Sequence, residues 1–266
     1  MRTRIGTLGT WYVQRLRKLC ARGIVKIVNG RYFLSELYYK IKGERKLGTY
    51  ETIDDRDIKA VTAELLDLSD VDGIDADNIW NIGQGKTTQC VPHQVAFALS
   101  SLATRIFQER ITFQPEYIKK LMVDRGWYKE GRGAIIRNGM KAVKNECKEK
   151  GFITDAKGEK FFVPAYVFVN KGDDWREALN KRYYIVTGLF VKHPMCTPKW
   201  FYIPQKRGGG HCVGAFDDAR NASRLKTSWN KFGIKQGKTQ NGNLWCKHED
   251  EATLMRGWIF PEIKKV

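Results

Sequence analysis

The chain of 266 residues is long enough for one large domain or for two lobes that share an interface. Its hydrophobic content of 42% and aromatic content of 12% indicate a folded core and exclude an intrinsically disordered protein. No run of about 18 apolar residues occurs, so we predict no membrane span. The first residues, Met1 to Arg4, precede no apolar stretch, so we also predict no secretion signal.

The chain is strongly basic, with a formal net charge of +18 and a pI near 9.6. This charge favours an anionic partner: nucleic acid, a cell-wall or membrane surface, or an acidic protein substrate. The lysines and arginines are scattered, and they form no basic helix interleaved with stacking aromatic residues. A generally cationic surface without a dedicated nucleic-acid site is therefore an equal alternative.

Six cysteines are spread along the chain, and none forms a Cys-x-x-Cys pair: Cys20, Cys90, Cys147, Cys196, Cys212 and Cys246. Because this spacing is not that of metal ligands, we predict no metal site. Without a secretion signal, we expect free thiols in a reducing compartment. Since neither metal binding nor disulfide formation is expected, a cysteine is of functional interest here only if its thiol is chemically reactive.

The N-terminal 75 residues are predicted to form an extension. Residues 1–50 hold 12 Lys or Arg against 2 Asp or Glu, whereas residues 51–81 hold 10 acidic against 2 basic residues. We expect a helix over 11–21, and a hairpin with strands over 24–28 and 32–34, because Asn29-Gly30 favours a type I′ turn. An amphipathic helix over 52–68 and an acidic linker over 69–77 follow. A helix followed by a hairpin also resembles the end of a DNA-binding winged-helix module. We favour a structural or pro-segment role for the extension over DNA binding.

Residues 76–266 are predicted to form one α+β domain with two lobes. Helical periodicity covers 91–108, and further helices are expected near 115–125 and 136–150, the last ending at Gly151. Strands are expected at 161–169, 183–191, 200–203, 212–216 and 258–260. Helices first and strands later favour an α+β architecture.

Cys90 stands immediately before the first predicted helix of this domain. The helix dipole and free amides at that position stabilise a thiolate, which is the nucleophilic form of cysteine. Gln84 lies on the incoming loop, where its side-chain NH₂ could bind the oxyanion of a tetrahedral intermediate. Loss of one such donor typically costs about 2.7–4 kcal/mol of transition-state stabilisation.

His211 follows three glycines at the entrance to an apolar strand. An imidazole there is a candidate base that takes the proton of Cys90 and passes it to a leaving amine. Sixteen residues later, Thr227 ends another predicted strand, where its side-chain oxygen could accept from the Nδ1–H of His211. Trp229 is placed to cover that hydrogen bond. His93, His193 and His248 show no partner in the sequence and are predicted to be structural or surface residues.

These pieces, in this order and spacing, resemble the papain-like cysteine peptidases. The resemblance rests on a glutamine six residues before the cysteine, Gly-Gly-His at the head of a strand, and Ser228-Trp229 shortly after the histidine. Residues 113–118, 139–152 and 176–191 resemble the family's intervening helices and strand. The resemblance covers about residues 76–260.

The resemblance implies a helical lobe that carries the cysteine helix and an antiparallel β lobe that carries the histidine. It implies a thiol peptidase without a cofactor, with Cys90 as nucleophile, His211 as base, Gln84 as oxyanion donor and Thr227 as orienter. The chain departs from the family pattern at Thr87, so one family disulfide cannot form, and at Thr227, where the family has asparagine. Lowered activity, replacement of Thr227 by Asn230, and a non-catalytic relative all remain open.

We therefore expect a cysteine peptidase that hydrolyses peptide bonds through an acyl-enzyme, located in the cytoplasm or in a virion. Two alternatives remain. One keeps the same site but takes the peptide crosslinks of peptidoglycan as substrate, since bacterial walls are anionic. The other is a weakened or non-catalytic structural protein whose basic surface binds nucleic acid.

Overall fold

The computed structural model describes three short strands in the N-terminal part, at 25–28, 31–34 and 49–50, and then residues 84, 87–191, 196–197, 199–205, 208–219, 221–229 and 243–266. The chain divides into two compact units, residues 1–46 and 47–266. The predicted boundary at 75/76 lies outside the described residues, as do the helices predicted over 11–21 and 52–68 and the acidic linker.

The first unit contains an antiparallel hairpin. Its strands are β1 (Val25–Val28) and β2 (Arg31–Leu34). Val28 pairs with Arg31, so two residues, 29 and 30, connect the strands. The two strands of the predicted hairpin are therefore present, over 25–28 and 31–34 in place of the predicted 24–28 and 32–34, while the type of the Asn29-Gly30 turn lies outside the described residues.

The second unit begins with β3 (Thr49–Tyr50) and a group of helices. These elements are α1 (Cys90–Phe107), α2 (Pro115–Asp124), β4 (Tyr128–Lys129), β5 (Gly133–Ile135) and α3 (Ile136–Lys150). All three predicted helices are confirmed, and local chemistry explains their ends. Pro115 opens α2, where its missing N–H costs no hydrogen bond. Gly151 ends α3 in the left-handed conformation, with φ of 84°.

Helix α1 is the central helix of this lobe. It is buried on all sides from Cys90 to Arg105, as is typical of a helix enclosed by other elements. Its buried polar side chains serve the neighbouring loop: Ser100 Oγ accepts from the Phe113 N–H at 2.8 Å, and Thr104 Oγ1 accepts from the Ile111 N–H at 3.0 Å. These bonds fix the loop that leads into α2.

The rest of the chain is mainly β structure. It contains β6 (Ile153–Thr154), β7 (Lys160–Phe162), β8 (Val167–Val169), α4 (Asp173–Asn180), β9 (Ile185–Val191), β10 (Gly209–Ala219), β11 (Ala222–Thr227), β12 (Asn243–Lys247), a 3₁₀ helix (His248–Thr253), β13 (Gly257–Ile259) and β14 (Lys264–Lys265). The main sheet is antiparallel, in the order β12-β11-β10-β9-β13-β8. Two smaller sheets have the orders β14-β7-β6 and β3-β5-β4.

Two predicted strands differ from the structure. The strand predicted over 161–169 is divided between β7 and β8, because Pro164 lies between them and cannot donate a hydrogen bond to a ladder. The strand predicted over 200–203 is reduced to isolated bridges, in which Phe201 pairs with Trp245 and Tyr202 with Cys196. Trp200 has a φ of 66°, which interrupts extended backbone there.

The two layers meet where α1 packs against β9 and β10. At this contact Tyr184 stacks on Phe216, and the Tyr184 hydroxyl donates to Gln94 Oε1 on α1 at 2.5 Å. The tyrosine ring fills the space above Gly214 of β10, where an added Cβ would lie 1.9 Å from a ring carbon. The packing of Tyr184 thus requires a glycine in the strand that carries His211.

Candidate active site

Cys90 is the first residue of α1, so its thiol lies at the positive end of the helix dipole, as predicted. Cys90 as a whole is 3% exposed. Its charge adds to burial in raising the pKa of Cys212, the residue that follows His211. Cys90 therefore acts electrostatically on the strand that carries the predicted base, and the packing of α1 against β10 brings these two elements together.

His211 lies in β10 and is 1% exposed. Its Nε2 is 2.7 Å from Thr227 Oγ1, and its ring stacks on Trp229 with 3.8 Å between the ring centroids. Thr227 is fully buried and also accepts from the Trp229 N–H at 3.2 Å. The predicted grouping of histidine, orienting oxygen and covering tryptophan is therefore present in the structure.

The prediction that His211 contacts Thr227 through Nδ1 was wrong, because the nitrogen at hydrogen-bond distance from Thr227 is Nε2. Thr227 pairs with Val213, two residues beyond His211, so the imidazole reaches its partner diagonally across two strands. Such diagonal neighbours are about 7–8 Å apart, which favours the ring nitrogen farther from the backbone. Nδ1 is therefore the ring nitrogen that Thr227 does not engage. Asn230, the alternative orienter, lies outside the described residues.

Burial lowers the pKa of His211 to about 3. The imidazole is therefore neutral at pH 7 in this conformation. A neutral imidazole can act as a base only through the nitrogen that carries no proton. The tautomer is set by the bond at Nε2, and a threonine hydroxyl can either donate or accept there, whereas a carboxamide oxygen can only accept.

Gln84 is buried but held differently from the prediction. Its Nε2 donates to the Thr87 carbonyl at 2.7 Å, and its Oε1 accepts from Ser228 Oγ at 2.5 Å. Its backbone N–H also donates to the Ser228 carbonyl at 3.0 Å. Gln84 thus connects the loop before α1 to the segment that follows Thr227, and one hydrogen of its NH₂ group is engaged within its own loop.

Thr88 also holds the loop before Cys90 in place. Thr88 Oγ1 lies 3.1 Å from the Tyr128 hydroxyl and accepts from the Gly131 N–H at 3.2 Å. These bonds tie the loop to the turn between β4 and β5. Neither this role nor that of Ser228 was predicted from the sequence, although Thr88 lies two residues before Cys90 and Ser228 directly follows Thr227. Their partners are distant in sequence, so no local pattern shows the contact.

Two of the remaining histidines, His93 and His248, lie in the described part of the chain. His93 is buried on α1, where Nδ1 is 2.9 Å from the Gln89 carbonyl, and burial is the main cause of its lowered pKa. His248 has a carboxylate partner, Asp218, at 2.6 Å, which the sequence did not show. His193 lies outside the described residues. No disulfide joins the five cysteines of the described part of the chain, all of which are buried.

No family model matches the sequence, and no curated protein matches it either. Solved structures do. Procathepsin B S9 from Trypanosoma congolense superposes with a TM-score of 0.54 at 14% identity, over 94% of this chain and 97% of that one. The chain has the papain-like fold.

Other papain-like structures superpose over most of the chain. The cysteine protease and lectin-like domains of Cwp84, a surface layer associated protein of Clostridium difficile, give a TM-score of 0.58 at 12% identity, over 91% of this chain and 63% of that one. The ragweed pollen protease Amb a 11 in its proform gives 0.55 at 14% identity, over 84% and 72%. The predicted papain-like α+β fold is thereby confirmed. No helix among the described residues is long and apolar enough to span a membrane.

Proposed function

We propose that this chain is a cysteine peptidase that hydrolyses peptide bonds through a Cys90 acyl-enzyme. One observation carries the proposal: His211 is bonded through Nε2 to Thr227 and stacked on Trp229, in a strand that packs against α1, the helix that begins with Cys90. An oriented base behind a cysteine at a helix N-terminus is the arrangement that thiol acyl transfer requires. The papain-like fold supports a peptide as the substrate.

The reaction follows from these positions. His211 Nδ1 takes the Cys90 proton as sulfur attacks the scissile carbonyl carbon, and the carbonyl oxygen becomes an oxyanion. The backbone N–H of Cys90 at the start of α1 donates to that oxyanion, and the Gln84 NH₂ supplies a second donor through its remaining hydrogen. The imidazolium then protonates the leaving amine, and water hydrolyses the thioester by the reverse sequence.

We propose further that the N-terminal extension is a pro-segment that covers this site. β3 pairs in parallel with β5, with Thr49 opposite Ala134 and Tyr50 opposite Ile135, and it also approaches β10. β5 follows the turn that Thr88 ties to the loop before Cys90. β3 therefore contacts the strand that carries His211 and also the strand that follows the turn tied to the Cys90 loop. The proforms among the superposed structures support this role.

A covering strand explains the electrostatics of His211. In the covered state the imidazole is buried and its pKa is low, so His211 is neutral. Removal of the strand would admit water and raise the pKa of His211, since desolvation is the cause of its depression. The thiolate–imidazolium form then becomes accessible.

Proline substitutions in β3 test this pro-segment role in the full chain. Thr49→Pro and Tyr50→Pro each remove one N–H from the short ladder with β5, and the two positions together cover both possible donors. We expect one of them to increase the rate of Cys90 alkylation at least about threefold, whereas Thr49→Ala and Tyr50→Ala, which keep the backbone donors, do not. Equal rates in all four variants and the wild type would refute the covering role.

Hydrolysis of casein and of a mixed peptide pool tests the peptidase activity itself. Wild type, Tyr50→Pro and their Cys90→Ala counterparts are compared, with cleavage followed by mass spectrometry. We expect cleavage that Cys90→Ala abolishes. Cleavage that persists without Cys90, or no cleavage in any variant, would contradict the proposal, and the latter result would favour the non-catalytic alternative.

The anionic partner predicted from the net charge remains a separate proposal. Several described lysines and arginines are engaged in ion pairs, such as Lys119 with Glu130 at 2.8 Å and Arg125 with Glu146 at 2.9 Å. Binding of duplex DNA at 50 and 200 mM salt tests the nucleic-acid alternative, because phosphate contacts produce a steep salt dependence. Turnover of purified peptidoglycan relative to casein separates the two peptidase alternatives.

A further inference from the structure

A second cluster of ionisable side chains lies at the far end of β10. It consists of Asp218, near the end of that strand, and of His248 and Glu251 on the 3₁₀ helix. One nitrogen or oxygen ligand atom from each residue lies within 4.8 Å of the other two. Because a 3₁₀ helix has three residues per turn, side chains three positions apart project in the same direction.

Backbone hydrogen bonds hold the two halves of the cluster together. The His248 N–H donates to the Asn221 carbonyl in the turn between β10 and β11 at 3.1 Å. Ala222 at the start of β11 pairs with Lys247, the residue before His248. The 3₁₀ helix therefore begins directly beside the end of the strand that carries Asp218, and the side chains meet without a long flexible connection.

Glu251 supplies a buried carboxylate to this cluster. Glu251 is 2% exposed, and Ser223, itself buried, donates its hydroxyl to Glu251 Oε1. Among the described residues, no lysine or arginine forms an ion pair with Glu251. Buried carboxylates in proteins are paired with a cation or coordinate a metal, because an isolated buried charge is costly. Asp218 adds a second carboxylate, 2.6 Å from His248 Nε2.

We propose that Asp218, His248 and Glu251 bind a divalent transition-metal ion of the zinc type. One imidazole nitrogen and two carboxylate oxygens form a ligand set that zinc accepts, and two carboxylates beside a neutral imidazole match its charge. Ligand atoms around tetrahedral zinc are roughly 3.3 Å apart. The separations here run from 2.6 Å to no more than 4.8 Å, so small side-chain rotations bring the three atoms to that spacing.

The surroundings complete the site. Ser223 holds the Glu251 carboxylate from outside the ligand set, as hydrogen-bond donors commonly do for metal-binding carboxylates. His248 also lines a cavity of about 750 Å³, together with Asn221, Trp245 and Lys247. Water or a small anion can therefore reach the cluster from the side of His248.

This site is separate from the candidate active site. Asp218 lies seven residues beyond His211 on the same strand, which corresponds to roughly 23 Å at about 3.3 Å per residue. A metal ion here would connect β10, through Asp218, to the 3₁₀ helix that follows β12. Its role is therefore to stabilise the edge of the main sheet, and the proposal does not depend on peptidase activity.

Zinc titration of the metal-stripped full chain tests the proposal. We expect one Zn²⁺ per chain by calorimetry under reducing conditions and a Tm that rises with zinc until the site is saturated. Asp218→Asn and His248→Gln should each weaken zinc binding at least about tenfold and reduce the rise in Tm. Glu249→Gln is the matched control, because Glu249 lies on the same helix, is 72% exposed and pairs with Lys247.

Cobalt distinguishes this site from binding by cysteine thiolates. A Co²⁺ complex of the proposed ligands lacks the thiolate-to-cobalt charge-transfer band, whereas a site made by cysteines shows it. Circular dichroism without metal shows whether each variant folds, and Asp218→Asn, which preserves the shape of the side chain, remains informative if His248→Gln does not fold. Absence of saturable zinc binding, retention of affinity in a folded Asp218→Asn chain, or a thiolate band would each overturn the proposal.

Discussion

At the scale of single residues, the most informative departure from the family pattern is Thr227. The structure places its hydroxyl 2.7 Å from His211 Nε2, so the shorter side chain does reach the imidazole. A hydroxyl can donate as well as accept, and it accepts in addition from the Trp229 N–H. If the hydroxyl donates to Nε2, the proton of the neutral ring is on Nδ1, and His211 cannot accept a proton from Cys90.

Substitution of Thr227 tests whether the direction of its hydrogen bond with His211 Nε2 affects the reactivity of Cys90. Thr227→Asn supplies an oxygen that only accepts and should favour the Nε2–H tautomer, increasing the Cys90 alkylation rate by about two- to tenfold. Thr227→Val keeps the shape of the side chain but removes the hydrogen bond. The typical net value of such a bond, about 0.5–1.5 kcal/mol, corresponds to an alkylation rate that is lower by about two- to tenfold. Iodoacetamide kinetics measure both, and Thr227→Ser should remain close to wild type. Equal rates in all variants would show that Thr227 does not orient His211.

Cys90, His211 and Thr227 could be proposed from the sequence because each belongs to a local motif with a recognisable chemistry. It could not determine which imidazole nitrogen meets Thr227, since that depends on the diagonal pairing of two strands. Nor could it show Asp218 beside His248, because these residues are 30 positions apart in the chain. Both contacts, His211 with Thr227 and Asp218 with His248, depend on how the strands of the sheet are aligned, and the sequence does not show that alignment.

At the scale of elements, helices were predicted better than strands. Helices α1, α2 and α3 carry long periodic patterns and are bounded by Cys90, Pro115 and Gly151. The strands of two or three residues, such as β4, β5 and β6, are too short to show a period of two. They are defined by their pairing with other strands, β4 with β5 and β6 with β7, and not by a periodic pattern of their own.

Packing between α1 and β10 gives a prediction at the same scale. Gly214→Ala would place a Cβ 1.9 Å from the Tyr184 ring, so we expect a loss of about 1–3 kcal/mol in the free energy of unfolding. Urea unfolding measures the loss. In a Tyr184→Leu background the same substitution should cost less, because the ring is no longer there. An equal cost in both backgrounds would contradict this account of the packing.

At the scale of the whole molecule, buried histidines should make stability depend on pH. His211 has an unfolded pKa near 6.5 and a folded pKa of about 3. Between these values the unfolded chain binds a proton that the folded chain does not. The free energy of unfolding should therefore fall as pH decreases from 6.5 toward 3 and level off below.

Replacing the histidine tests that dependence. His211→Gln should flatten the fall in stability below pH 6.5, while the lowered pKa of His93 leaves a smaller slope of the same sign. Urea unfolding at several pH values between 3.5 and 7.5 measures both profiles. Identical slopes in wild type and His211→Gln would mean that His211 is not buried as a neutral group in the folded chain.

The central claim is that His211 activates Cys90, and the alkylation rate of Cys90 tests it most directly. Iodoacetamide labelling near neutral pH is mapped residue by residue in the wild type, in Tyr50→Pro and in the same chains carrying His211→Ala. With the site uncovered, Cys90 should react faster than Cys147, Cys196, Cys212 and Cys246, and His211→Ala should remove that advantage. Labelling of Cys90 no faster than at the other cysteines in either chain would contradict the claim.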